Sequence, residues 1–204
     1  MEAYLDNSAT TRVDAQVQEL MKKLMDVDFG NPSSRHQKGV VAEGYIKEAR
    51  QKIAATLKVD PKELIITSGG TESNNMALIG TALAAKRKGN HIITTAVEHP
   101  SVKATASFLE EQGFRITFLS VDSRGQISLE DLKEALTPDT ILVSIMYVNN
   151  EIGTIQPVEE AAKLVHATVP GAVFHVDAIQ AYGKVMIRPK QQGIDLLSVS
   201  SHKF

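Results

Sequence analysis

Residues 141–180, ILVSIMYVNNEIGTIQPVEEAAKLVHATVPGAVFHVDAIQ, decide the fold. They open on an apolar run, 141–148, interrupted by Ser144, cross a polar turn into an amphipathic stretch over 158–168, and return to a second apolar run at 173–176. Strands that are apolar at successive positions, rather than at every second one, are buried on both faces. The segment between these two is long enough for a crossover helix, so the stretch reads as a βαβ unit of a parallel sheet. The same alternation continues outward. Strands are predicted near residues 64–67, 92–96, 115–121 and 196–199, and helices over 72–88, 101–112 and 129–135, with a helix-poor stretch before the last strand. Near the start, Val17, Leu20, Met21 and Leu24 recur at helical intervals, which predicts a helix over 14–26, and 39–57 reads as another. The expected class is α/β, with a largely parallel sheet covered by helices on both faces.

Composition narrows the function. The chain has 204 residues, 43% hydrophobic and 23% charged, enough for a real core. Lys+Arg 22 against Asp+Glu 24 gives a net charge of -2, without the broad basic field of a nucleic-acid binder. The longest apolar run falls far short of the roughly 20 residues of a membrane-spanning helix. Neither nucleic acid nor a membrane is therefore an expected partner. The opening MEAYLDNSATTR is acidic and polar where a secretory leader is basic and then apolar, so the expected compartment is the cytoplasm. The sequence contains no cysteine, which excludes disulfides, thiolate metal sites and a cysteine nucleophile within these residues. His36, His91, His99, His166, His175 and His202 do not fall at a ligand spacing such as H-E-x-x-H, so no metal is expected.

In open α/β sheets ligands lie beyond the carboxyl ends of the strands. The residues following the predicted strands are unusually polar: Ser68-Gly69-Gly70-Thr71-Glu72, Glu98-His99-Pro100, Asn149-Asn150-Glu151, Asp177-Ala178-Ile179-Gln180 and Ser200-Ser201-His202-Lys203. SGGTES has the makings of a phosphate cradle: Gly69 and Gly70 permit close backbone approach, Thr71 supplies a hydroxyl, and a helix N-terminus follows. Taken alone it reads more readily as a strand-to-helix turn capped by Thr71, with Ser73 or Asn74 in the first turn. Asp177, at a buried strand end, calls for a cationic partner. Lys203 at the same rim suits an amine nucleophile, though an isolated lysine there is more often solvated. His99 suits a base, a stacking ring or an ordinary loop histidine, and His202 carries the same ambiguity. Together these parts match one cofactor, pyridoxal 5′-phosphate, which needs a phosphate cradle, an acid for its ring nitrogen, a flat side chain against its ring and a lysine for a Schiff base.

At these residues the chain resembles the cysteine desulfurases of the NifS/IscS type, a branch of the class V aminotransferases of fold type I. The resemblance runs from YLDNSATT through FGNPSSRH, ITSGGTESNN, EHPSV, DSRG, VNNEIGTIQP and HVDAIQAYGK to SVSSHKF, and so spans the chain. It implies Thr71, with Gly70, Ser200 and His202, at the cofactor phosphate, His99 stacked on the ring, Asp177 at the ring nitrogen and Gln180 at the phenolic oxygen. Lys203 would carry the Schiff base and shuttle protons, His99 is a second acid–base candidate, and Asn150 would help hold the substrate carboxylate. Ala9, Thr10 and residues 31–36 resemble segments near the substrate entrance. Residues 1–12 would join a small domain, and 13–204 would form an incomplete cofactor-binding large domain. The implied reaction takes sulfur from L-cysteine as an enzyme persulfide with alanine as co-product, in a homodimer, and passes it to a scaffold or carrier protein for iron–sulfur clusters or other thio-cofactors.

The same resemblance places the persulfide cysteine, the substrate-gripping arginine and the small domain beyond Lys203. The 204 residues are accordingly expected to correspond to about half of an enzyme and to have no desulfurase activity alone. The retained motifs set up the cofactor without choosing the leaving group, so a selenocysteine lyase-like activity, or an inactive folding or dimerisation module, are the alternatives.

Overall fold

A computed structural model describes residues 3–204, so Met1 and Glu2 of the expected 1–12 segment lie outside the described residues. The chain divides into two compact units, one of residues 10–66 and one that joins the residues up to Ala9 to 67–204.

The first unit is helical. Helix α1 (Ala15–Asp26) begins where the Asp14 carboxylate accepts from Gln16 N–H, and α2 (Gln37–Leu57) begins where the His36 ring accepts from Gly39 N–H. Side-chain caps of this kind start each helix close to where apolar periodicity places it. Tyr45 on α2 donates to Asp28 at 2.7 Å, and Lys23 on α1 pairs with the same carboxylate at 3.2 Å. The strand expected over 64–67 is absent. Leu64 follows a 3-10 turn at Pro61–Glu63, and Ile65 and Ile66 are 72% and 59% exposed with no strand beside them among the described residues. An apolar run becomes a strand only when a neighbour satisfies its backbone groups, and the division between the units falls inside this stretch.

The second unit is the α/β body. Its elements are α3 (Gly70–Ala85), β1 (His91–Thr95), α4 (Pro100–Glu111), β2 (Arg115–Leu119), α5 (Leu129–Ala135), β3 (Thr140–Met146), α6 (Val158–Thr168), β4 (Val173–Asp177), α7 (Pro189–Gln192) and β5 (Leu196–Ser198). The five strands are parallel in the order β2-β1-β3-β4-β5. Helices α3 and α4 pack on each other and on the sheet, as α5 and α6 do, so two helix pairs flank it. Every residue of β1 and β3 is buried, as expected of central strands whose apolar runs are continuous. Leu78, Ala82, Ile92, Val102, Leu109 and Leu142 form the core of one layer. Helix α6 buries Val158, Ala161, Ala162 and Val165, one face at helical spacing.

Two rows of polar groups cross this apolar sheet. His91 bonds Thr140 at 2.8 Å and Thr117 at 2.8 Å, tying β1, β2 and β3, while His175 bonds Ser144 and Ser198, each at 2.9 Å, tying β3, β4 and β5. Burial pushes the two imidazoles down to about 4 and about 3, so both act as neutral rivets. The registers Met146↔Asp177 and Asp177↔Ser198 bring the carboxyl ends of β3, β4 and β5 level at one rim.

Candidate active site

That rim opens into a cavity of about 480 Å³. The nine residues that the resemblance assigns to cofactor or substrate line it: Gly70 and Thr71 from the start of α3; His99 before α4; Asn150 after β3; Asp177 and Gln180 at and after β4; Ser200, His202 and Lys203 after β5. Asp6, Ser8 and Ala9 complete the wall, whereas Thr10 and residues 31–36 belong to the other unit.

Each contribution has a local cause. Helix α3 starts at Gly70, two residues before the predicted start, with Gly69 as N-cap and no side-chain cap. The first-turn N–H groups of Gly70 and Thr71, without a capping side chain, are left for whatever the cavity holds. A Cβ on Gly70 would stand 2.2 Å from Ile179 Cδ1, so the end of the Ile179 side chain packs directly against the glycine and would have to turn aside for a larger residue. After β3 the chain makes a bridge between Val148 and Ile155, and the Asn149 carbonyl oxygen Oδ1 accepts from Glu151 and Ile152 N–H. This Asx turn turns Asn150 toward the cavity, its amide donating to Glu151 at 2.8 Å.

Asp177 is 4% exposed. Its Oδ1 accepts from Ile179 N–H at 3.0 Å and its Oδ2 from the Asn74 amide at 2.7 Å. Burial pushes its carboxyl up, and the Ile179 and Asn74 hydrogen bonds and nearby His99 pull the other way. Sequence reasoning expected a cation beside it, but among the described residues its partners are a backbone N–H and a neutral amide, and it makes no ion pair. Across the cavity the Lys203 amine donates to the carbonyls of Ser8 and Ala9, the latter at 2.8 Å, and Gln180 donates to Ser8 O at 2.8 Å. Lys184 holds the carbonyl of Lys203 at 2.6 Å, and Phe204 meets Tyr182 edge-on at 5.0 Å, which fixes the turn carrying the amine.

Three functional candidates escaped the sequence reading. Asn74 is fully buried and bonds both Asp177 and Ser101. Ser101 in turn bonds His99 Nδ1 at 2.8 Å. The available signal was spacing, since Asn74 follows Gly70 by one helical turn and therefore faces the same side. Glu98 is 3% exposed beneath the rim, its Oε1 accepting from Thr95 Oγ1 at 2.8 Å and Met146 N–H at 2.9 Å. Burial pushes its carboxyl up to about 8, with the Asp177 charge adding to the effect. A buried neutral acid supports the strand end next to the buried carboxylate.

Comparisons with known proteins agree with this geometry. The aminotransferase class-V family model matches residues 3–204. The chain is 50% identical over 203 residues to a cysteine desulfurase IscS of Dictyoglomus turgidum, covering 100% of this chain and 51% of that protein. It is also 50% identical over 200 residues to a putative cysteine desulfurase, IscS 1, of Bacillus subtilis, covering 98% and 52%. Among solved structures, a NifS-like protein superposes with TM-score 0.97 at 42% identity, over 100% of this chain and 56% of the other. The structure titled SspA in complex with cysteine superposes with TM-score 0.94 at 40% identity, over 98% and 57%. The chain thus spans about half the length of the curated relatives it matches.

Proposed function

The chain belongs to the class V aminotransferase family, and from that premise we propose that its cavity binds pyridoxal 5′-phosphate and serves a cysteine desulfurase that takes sulfur from L-cysteine and releases alanine. One observation carries the reading. A buried carboxylate, Asp177, shares a cavity with the Lys203 amine and makes no ion pair among the described residues. Such a group is stabilised by a cation brought in with a ligand, and a protonated pyridine nitrogen is one. The other end of the site fits as well, because the uncapped start of α3, which lines the cavity through Gly70 and Thr71, suits a phosphate.

Bound there, pyridoxal phosphate supplies an electron sink for the charge left when a substrate bond breaks. Asp177 would hold the proton on the ring nitrogen. The N–H groups of Gly70 and Thr71, with the side chains of Thr71, Ser200 and His202, would bind the phosphate. Gln180, whose amide now donates to Ser8 O, would serve the phenolic oxygen, and His99 would face the ring. Lys203, whose amine now donates to the Ser8 and Ala9 carbonyls, would supply the amine for the covalent link and hold or move protons at Nζ. Asn150 would orient the substrate carboxylate. None of the 204 residues is a cysteine, so in this reading sulfur passes to a thiol supplied outside them and then to a scaffold or carrier protein. We further assign residues 13–204 to the cofactor-binding large domain and 1–12 to a segment reaching a small domain, in a cytoplasmic homodimer. No helix among the described residues is long and apolar enough to cross a membrane.

Titration of the chain with pyridoxal phosphate tests this. A visible absorption band should grow to saturation, disappear in Lys203→Ala, and need a higher cofactor concentration in Asp177→Ala. No band in the wild type, or an equal one in Lys203→Ala, refutes the proposal.

A further inference from the structure

Helix α3 brings Asn74 against β4, where its amide sits between a carboxylate and a hydroxyl. We propose that Asn74 is a positioning residue which, through Ser101, fixes the proton of His99 on Nε2, so that His99 meets the cavity as a hydrogen-bond donor.

Counting the hydrogens along this chain of contacts assigns the tautomer. The Asn74 amide nitrogen carries two, one directed to Asp177 Oδ2 at 2.7 Å and the other to Ser101 Oγ at 3.0 Å. The amide is held in this sense by the carboxylate, since turning it over would set its carbonyl oxygen against Asp177. Asn74 Oδ1 accordingly has no partner among the described residues although it is buried. Ser101 Oγ accepts from Asn74, which leaves its single hydrogen for His99 Nδ1 at 2.8 Å. The Ser101 backbone N–H points at the same nitrogen, 3.1 Å away. Nδ1 therefore receives two donors and is a bare acceptor. A proton placed there would face an O–H and an N–H head-on. A neutral imidazole carries one N–H, so it lies on Nε2, the edge left to the cavity that His99 lines.

Two consequences follow. His99 can give a proton to the cavity's occupant and can accept one at Nε2 only after giving its own. Asn74 also ties the orientation of His99 to that of Asp177, so the two groups are set by one amide. The use of that proton rests on the function proposed above; the tautomer itself does not.

Long-range 1H–15N correlation spectra of the 204-residue chain, labelled at histidine and without cofactor, read the tautomer directly. His99 is assigned by the signal lost in His99→Gln. Its pattern should be that of a neutral ring protonated on Nε2, and Asn74→Ala should shift Nδ1 toward the position of a weaker acceptor. A proton on Nδ1 in the wild type overturns the proposal, and an Nδ1 resonance unmoved in Asn74→Ala removes Asn74 from it. If Asn74→Ala does not fold, Ser101→Thr should keep the wild-type Nδ1 resonance and Ser101→Ala should move it; equal resonances overturn the relay. A chain with the Nε2 tautomer that takes up no pyridoxal phosphate would overturn the proposed function and leave the relay standing.

Discussion

Glu98→Gln isolates the buried acid under the site. In the wild type the Glu98 carboxyl is raised from the ordinary 4.5 to about 8, chiefly because burial disfavours its charged form. Between these values the folded chain keeps a proton that the unfolded chain has released, so stability falls as pH rises. The slope is about 1.4 kcal/mol per pH unit. Relative to its value below pH 4.5, this one group lowers stability by about 3 kcal/mol at pH 7 and about 5 kcal/mol beyond pH 8, where the effect levels off. Glutamine keeps an oxygen to accept from Thr95 and Met146, and its amide replaces an Oε2 that has no partner among the described residues. The variant should therefore match the wild type below pH 4.5 and exceed it by about 3 kcal/mol at pH 7. Urea unfolding at half-unit pH intervals measures both curves. Parallel curves from pH 5 to 8 would refute the assignment of a proton to Glu98 in the folded state.

The two imidazole rivets act in the opposite direction. Held near 4 and 3, His91 and His175 stay neutral in the fold while the unfolded chain gains protons below about 6.5, so wild-type stability should decline as pH falls through that value, and replacing either ring should flatten the decline in the same urea series. His175→Ala should also cost about 3 kcal/mol or more at pH 7, because it opens a cavity and strands the hydroxyls of Ser144 and Ser198, as thermal or urea unfolding would show. Gly70→Ala should cost about 1 kcal/mol, the low end for an added methyl, because the Cδ1 end of Ile179 can turn aside, and by moving this lining residue should weaken pyridoxal phosphate binding in a spectral titration; wild-type binding would remove the start of α3 from the account. Incubated with L-cysteine, the 204-residue chain should retain no protein-bound persulfide in a cyanolysis assay, because it holds no thiol to carry one.

How much of this was legible in the sequence depended on whether the deciding contacts were local. The central strands announced themselves because both faces of β1 and β3 are covered, which makes their apolar runs continuous. Residues 64–67 have the same composition but no strand beside them among the described residues, and composition alone does not distinguish the two cases. The cavity's lining was largely readable because a parallel sheet delivers the residue after every strand to one rim, which groups Asn150, Asp177 and Lys203; Thr71 reaches the same rim from the start of α3 although the strand expected before it is absent. The support beneath it was not. Asn74 reaches Asp177 across 103 positions through the packing of α3 on the sheet, and in sequence it looks like any polar residue of a first helical turn. Glu98 was visible only as a polar residue after a strand. Its proton is a product of burial, which depends on Met146 and Thr95 closing around it.

The central claim is that one cofactor spans the gap between Asp177 and the amine of Lys203. Borohydride reduction of the chain saturated with pyridoxal phosphate, followed by peptide mass mapping, tests it most directly. The account predicts a single phosphopyridoxyl group on Lys203, formed at lower cofactor concentration in the wild type than in Asp177→Ala. Label spread over surface lysines such as Lys22 and Lys47, with Lys203 unmodified, would contradict it.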